Sequence, residues 1–544
     1  MIKSSCISLT FILISSVLRL AHAQGDVGVV EFVNSGAAEA QYSFLHGLAQ
    51  LHNFEYEDAA AAFRKAQEID PNFAMAYWGE AMTQNHPIWM EQDRDAARAA
   101  LQKLGPAKEE RLAKAPTQRE KDYLLSLEIL YGEGEKKQRD FAYAEAMKKL
   151  AENYPEDADG AAFYALALLG TAHEGRDFAV YMRAAAVLEE VFPNHPQHPG
   201  VVHYLIHSYD DPIHAPLGLR AARIYSKIAP AAGHAQHMTS HIYVALGLWE
   251  EVVEANENAS SVVNRQRITE GKPPRRCGHY NYWLEYGYLQ QGRYEDARRM
   301  LADCYAAAKE SDTSAKHMAM MMTALDPDNS ALGSFLQMRL RYLLETGDWR
   351  GEVANWVISP EKNTGAKFTS EFTDGFGAVE RGDLPAANAS LRRLKEIHSE
   401  LEEVVKTKGS SEESYVQRAD VLEKQLQAKI WFAEGKRTEA IALIRKAAEM
   451  EEAMPLAFGP PFVDKPTQEI LGEMLLTTER PVEAEEAFRA ALARAPLRTA
   501  SLLGLMRSAR LVGNHISMEE SQRKLREIWK QAPKLIEEYL VPSR

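Results

Sequence analysis

Apolar and small residues recur along most of the chain at helical intervals. In FLHGLAQLHNFEYEDAAAAFRKAQEIDPNFAMAYWGEAMTQNHPIW, Tyr56, Ala59, Phe63 and Ala66 step by three and four along one face, and Pro71 ends the run. The small residues let paired helices approach closely, and a following helix opens at Phe73 and carries Tyr77 and Trp78. The same two-helix grammar returns in GAAFYALALLG with DFAVYMRAAAVLEEVFP, in NYWLEYGYLQQGRYEDARRMLADCYAAA and in AKIWFAEGKRTEAIALIRKAAEM. Residues 93–156 are helical but less regular, with Gly132 and Gly134 marking a turn. Pro496 punctuates the last pairs, and WKQAPKLIEEYL is placed to cap the array. No stretch alternates in the manner of a half-buried strand, so the expectation is an all-α chain of stacked helix pairs.

The central stretch carries one spacing that apolar packing does not require. His203 and His207 are four residues apart, as are His237 and His241, and the pairs are offset by 237 − 203 = 34 and 241 − 207 = 34. Thirty-four residues is the length of a repeating helix–turn–helix unit. Residues at i and i+4 share one helix face, so stacking two such units brings four imidazoles to one patch.

Length and composition, 544 residues with 46% hydrophobic and 26% charged, are those of an ordinary folded protein or a solenoid. Residues 1–23 have the form of a secretory signal: Lys3, the apolar core LTFILISSVL and the small-x-small site Ala21-His22-Ala23 before Gln24. The expected mature protein is secreted or periplasmic, and no other apolar run is long enough to span a bilayer. Cleavage removes Lys3 and Arg19, taking the formal charge from −14 to −14 − 2 = −16, which disfavours nucleic-acid binding. Of the remaining cysteines, Cys277 starts a first helix and Cys304 falls late in its antiparallel partner, so the two can either bond or stay buried thiols.

FAMAYWGEAMTQNHPIW, HPGVVHYLIHSYDDPIHAPLGLRAARIY, IAPAAGHAQHMTSHI and FGPPFVDKP resemble the tetratricopeptide-repeat family, and within it a group of exported bacterial repeat proteins. The resemblance implies an α-solenoid, a right-handed superhelix of helix–turn–helix units. It divides the chain into N-terminal repeats at 24–104, less regular helices at 105–197, His-rich central repeats at 198–330, further repeats at 331–405, a flexible loop at 406–414 and C-terminal repeats with a cap at 415–544. In that family, positions 2, 5, 9, 12 and 13 of each first helix face a concave groove. With Gly247 at position 15, His234, His237 and His241 fall at 2, 5 and 9; His203 and His207 fall at 5 and 9 of the preceding unit, with Asp210 and Asp211 at 12 and 13. With Gly292 at position 15, His279, Tyr282 and Tyr286 fall at 2, 5 and 9, and His52 and His86 both fall at 13.

A cluster of neutral imidazoles suits copper or zinc, with iron a further option. The expected ligands are His203, His207, His237 and His241, joined by His234 and His279; three nitrogens with an open position would make a reactive site, an oxidoreductase or a hydrolase. Tyr282, Tyr286 and Asp211 are the candidate catalytic groups, Asp211 and Asp210 alternatively orienting a ligand imidazole or, with Pro212, starting a helix. His52 and His86 are expected to lie apart from the main cluster unless the superhelix curls strongly. HMAMMM at 317–322 offers soft ligands for Cu(I) but equally fills a core. The alternative function is an adaptor whose groove binds a peptide, a partner protein or a small molecule without metal.

Overall fold

A computed structural model describes residues 26–311, 330–360, 363–408 and 413–541. The expected signal at 1–23, the methionine run at 317–322 and the middle of the 406–414 loop lie outside the described residues. The described residues form 25 α-helices, together with a single two-residue ladder pairing Asn85–His86 with Glu91–Gln92. No helix among them is long and apolar enough to cross a membrane.

Most successive helices pack against one another, Arg94–Leu104 and Lys108–Ala113 being an exception. In the first pair, Gln41–His52 and Tyr56–Ile69, the stripe read from the sequence faces inward: Ala59, Phe63 and Ala66 are fully buried against Phe44 and Leu48. Burying a side chain such as Phe63 stabilises by roughly 1.5–3 kcal/mol, which is how such a pair is held. Helix starts follow the capping residues: Thr117 and Glu120 form a capping box on Gln118–Leu130, and Asp157 caps Ala158–Leu169. The Gly132 and Gly134 turn lies between Gln118–Leu130 and Lys136–Asn153, with Gly134 at φ +97°. Cys277 and Cys304 are joined in a disulfide, their Cα atoms 4.6 Å apart.

The superhelix curls tightly enough that both ends of the chain return to its middle. At the N-terminal side, the backbone N–H of Val29 donates to the Gln197 carbonyl at 3.3 Å and that of Ala231 to the Asp26 carbonyl at 2.8 Å. At the C-terminal side, the Trp249 indole donates to the Leu497 carbonyl and the Trp529 indole to the Gln290 carbonyl, each at 3.1 Å. The concave face is therefore filled. Helix Pro199–Tyr209 is buried along its whole length, and so is Gly233–Leu246 apart from Leu246.

Non-helical chain does part of this filling. Residues 454–466, which include FGPPFVDKP, run as a strap between helices Arg437–Ala453 and Thr467–Thr477. Asp464 anchors it: its two oxygens accept from Arg341 at 2.8 Å and from Arg418 at 2.6 Å, all three side chains being buried. At Gly459, φ is +88° and a Cβ would stand 2.3 Å from the Trp283 ring, so glycine alone lets the strap lie there.

Candidate metal centre

Three helices supply the histidines. His198 caps Pro199–Tyr209, its Nδ1 accepting from the Val201 N–H at 3.3 Å, and Pro199 occupies the first turn. His203 and His207 follow on one face of that helix. Gly233–Leu246 begins 233 − 199 = 34 residues later and carries His234, His237 and His241. His279 opens helix His279–Gln290.

His203, His207, His237 and His241, the four that share the 34-residue spacing, lie together in the structure, and His234 and His279 lie beside them. Ring centroids lie 4.9 Å apart for His203–His207, 5.2 Å for His203–His234, 5.5 Å for His207–His241, 5.2 Å for His237–His241 and 4.6 Å for His237–His279. The ligand nitrogens of His203, His207 and His234 lie within 4.8 Å of one another, and so do those of His237, His241 and His279.

The outer nitrogens are tied to acceptors. His203 Nδ1 meets the His52 carbonyl at 2.7 Å, His237 Nδ1 meets Asn256 Oδ1 at 2.7 Å, and His241 Nδ1 meets Asp210 Oδ2 at 2.9 Å. Asp210 Oδ2 also lies 3.4 Å from His207 Nδ1. A carbonyl can only accept, and Asn256 spends its amide N–H on the Val252 carbonyl, so the hydrogen sits on Nδ1 of His203 and His237. The lone pair is then on Nε2. The Nε2 atoms of His203, His207, His234 and His241 are buried and have no hydrogen-bond partner, while His237 Nε2 faces His279 Nε2 at 3.0 Å.

Burial favours the neutral form of four of these imidazoles. It drives His203, His234 and His237 well below the usual histidine range, aided by their imidazole neighbours, and lowers His241 to about 4 against the opposing pull of Asp210. Burial would raise Asp210, but Arg176 and the bonds from His207 and His241 outweigh it and hold the carboxylate below its usual range. A carboxylate beside ligand imidazoles, itself fixed by an arginine, is the arrangement that orients histidines on a metal.

Aromatic rings close the cluster. Phe54, at φ +59°, sets its ring 4.4 Å from His203 and 5.8 Å from His207. Trp283 stacks on His241 at 4.5 Å, and Phe458 of the strap covers the same ring at 5.1 Å. On one side a cavity of about 230 Å³ remains, lined by Phe54, Tyr56, Trp89, His234, His279 and Tyr280. Arg275 stands exposed at its rim. The cluster is thus dry on most sides and reachable from one.

His52 is not remote, because the curl of the chain seats it against Pro199–Tyr209. Gly200 makes the room, since a Cβ there would stand 2.2 Å from His52 Nδ1. The His52 ring bonds the Tyr204 hydroxyl at 3.0 Å and Asp159 at 2.9 Å, and His198 Nε2 reaches the same Asp159 oxygen at 3.2 Å. His52, Asp159 and His198 lie close enough to ligate an ion, but both ring nitrogens of His52 and of His198 are already engaged. The group's evident work is to fix His52, whose carbonyl holds His203. His86 likewise joins the cleft wall, stacked on Tyr56 at 4.0 Å.

The candidate catalytic residues are placed differently. The Tyr282 hydroxyl bonds Arg341 and Gln337, and the guanidinium of Arg341 lies 4.1 Å over its ring. The Tyr286 hydroxyl accepts from Arg498 at 3.5 Å. Both tyrosines are buried within arginine networks rather than lining the cleft, because His279 sits at the first turn of their helix and the later turns run into the strap and the C-terminal repeats. Asp211 holds a turn: its Oδ1 accepts from the N–H groups of Ile213 and His214, and helix Ala215–Ile228 starts only after it, so Pro212 is not at its first position. The orienting carboxylate is Asp210. Asn256, Arg176, Phe54 and Trp283 were not picked out by the histidine spacing; no periodic signal marks them, since each is brought in by packing.

No family model matches the chain, and no curated protein does. Among solved structures, it is similar to the human IFIT1 dimer with m7Gppp-AAAA, at 14% identity over 94% of this chain and 95% of that one, with a TM-score of 0.35. It is also similar to the APC/C hetero-tetramer Cut9-Hcn1, at 11% identity over 97% and 82%, with a TM-score of 0.33. The P58(IPK) TPR domain matches at 12% identity over 88% and 99%, with a TM-score of 0.22. Helix pairs stacked in sequence settle the architecture from this chain alone, with first helices following at 74 − 41 = 33 residues at the start and 233 − 199 = 34 in the centre, and at wider intervals such as 331 − 279 = 52 elsewhere. It is a tetratricopeptide-type α-solenoid. The superpositions are partial and bear on nothing beyond the fold.

Proposed function

We propose that this solenoid is an exported protein that binds a transition metal, copper or zinc ahead of iron, through the histidines of its filled concave face. One observation carries the reading: four buried Nε2 atoms, on His203, His207, His234 and His241, have no partner, and three of those rings have Nδ1 held by an acceptor. An unpartnered buried nitrogen costs about 1–3 kcal/mol, and four in one patch is an expense that a metal ion removes. The joined Cys277 and Cys304 suit the oxidising compartment that the signal-like segment implies. His234 and His279 line the aromatic cleft, so an ion held by three of these imidazoles would supply Lewis-acid or redox chemistry beside a space that a small organic molecule fits; this supports a metal-dependent oxidoreductase or hydrolase. A peptide at these histidines, as an adaptor would require, would have to displace Phe54 and Phe458, so partner proteins are better served by the outer surface.

Elemental analysis of untagged mature protein tests the reading. We expect near-stoichiometric copper, zinc or iron, and loss of that metal with helical content intact in the double variant His207→Ala/His241→Ala. Metal unchanged in the double variant would refute the ligand assignment, and no metal after reconstitution with each ion would refute the function.

A further inference from the structure

The six histidines are not one ring of equivalents; they are one three-residue motif made twice. In the first, His203 and His207 sit one turn apart on Pro199–Tyr209 and His234, at the start of the next first helix, closes the set. In the second, His237 and His241 sit one turn apart on Gly233–Leu246 and His279, at the start of the following first helix, closes it. Repeat stacking explains the duplication: the same two positions of one unit and the same opening position of the next are brought together at each step of the solenoid.

From this duplication we infer that the chain holds two transition-metal ions side by side, one per trio. This rests on the metal reading above and adds a second site to it. Three nitrogens at about 2.0–2.1 Å from an ion stand roughly 3.3 Å apart at tetrahedral angles, and each trio gathers three nitrogens within 4.8 Å; His207 and His241 also come that close to Asp210, but the carboxylate lies on their Nδ1 side. Within the second trio, the 3.0 Å approach of His237 Nε2 to His279 Nε2 already has nearly that spacing. Each trio has its own anchors: the His52 carbonyl on His203 and Asp210 on His207 for the first, Asn256 on His237 and Asp210 on His241 for the second. Asp210 serves both. It is already bonded to the Nδ1 side of His207 and His241, so it couples the trios as a shared orienting carboxylate rather than acting as a ligand.

The trios adjoin through His207–His241 at 5.5 Å and His234–His237 at 6.0 Å between ring centroids, so ions held by them would be neighbours. The residues that close the trios, His234 and His279, both line the aromatic cleft. A small ligand entering there would meet His234 and His279, one residue from each trio, and two bound ions would supply Lewis-acid or redox chemistry to it.

Metal stoichiometry on the full mature chain decides it. The protein is reconstituted separately with Cu(II) and Zn(II), desalted and assayed for metal per chain, with circular dichroism as the check on fold. The expected content is two equivalents, falling to one in His203→Ala/His207→Ala and to one in His237→Ala/His241→Ala. Because those side chains are buried, the single variants His234→Gln and His279→Gln, at the cleft edge, provide the same test with less risk to the core; each should lose one equivalent and keep the other. One equivalent in the wild type, abolished by damage to either trio, would overturn the two-ion inference and leave the metal reading standing. No metal in the wild type would overturn both.

Discussion

At the scale of single residues, the proposed centre rests on groups other than its histidines. Asn256 is fully buried and its side chain bridges the Val252 carbonyl and His237 Nδ1, so it fixes both the orientation and the tautomer of that ring. Losing such an acceptor typically weakens metal binding about 10–100-fold. Asn256→Ala should therefore weaken one of the two bound equivalents by that factor and spare the other, measurable by competition with a chromophoric chelator; equal weakening of both would show that Asn256 acts on packing alone. The histidines themselves were legible in the sequence, since four-residue spacing repeated at 34 fixes their helix face without further information. Their acceptors were not. The His52 carbonyl lies 151 residues from His203, and the approach of His52 depends on Gly200 lacking a Cβ, which no local pattern marks. Tyr282 and Tyr286 share a periodic face with His279 but are drawn away by Arg341 and Arg498, partners supplied by distant parts of the chain.

At the scale of elements, helices were legible because apolar period and capping agree, while the strap at 454–466 was not, because its place is set by ion pairs inside the core. Asp464 binds Arg341 and Arg418 at once, with all three side chains buried. Removing one member of a buried ionic group costs about 3–5 kcal/mol, since the remaining charges are left uncompensated. Asp464→Ala should lower the midpoint of urea unfolding accordingly and, by freeing Phe458, loosen the cover on His241; unchanged stability would mean the strap is held by apolar contact alone. Helices Leu384–Lys408 and Glu413–Ala433 offer a pH-dependent counterpart. His398 meets Glu423 at 3.0 Å, and this bond, outweighing burial, raises the histidine above its ordinary value near 6.5. A raised value in the folded state means the bond stabilises fully below about pH 6.5 and fades as pH rises through the native value. His398→Ala should cost roughly 0.5–1 kcal/mol more at pH 5.5 than at pH 8.5, the remainder at both being lost packing. A cost that does not change with pH would assign His398 to packing.

At the scale of the whole molecule, the helix–turn–helix grammar predicts stacking but leaves the curl open, because superhelical pitch sums small angles between many neighbouring pairs. Here the sum brings the N-terminal loop, the central repeats and the C-terminal strap to one place: Phe54 on one side of His207, Phe458 on the other, and the trios between them. An ordinary solenoid unit contacts only its neighbours, and its stability is local. In this chain, the proposed metal, held by the central helices, would stabilise everything packed upon them. Binding to the folded state alone adds RT ln(1 + [L]/Kd), about 2.7 kcal/mol at a hundredfold excess over Kd, and that energy is shared by every element whose opening would expose the ions. Amide hydrogen exchange with and without Zn(II) makes this visible. Protection should rise not only across Pro199–Tyr209 and Gly233–Leu246 but also in the loop around Phe54 and in the strap around Phe458, 199 − 54 = 145 and 458 − 246 = 212 residues away. Protection confined to the central helices would show that the two ends open independently of the centre, and that the filled concave face is a resting position rather than part of the metal site.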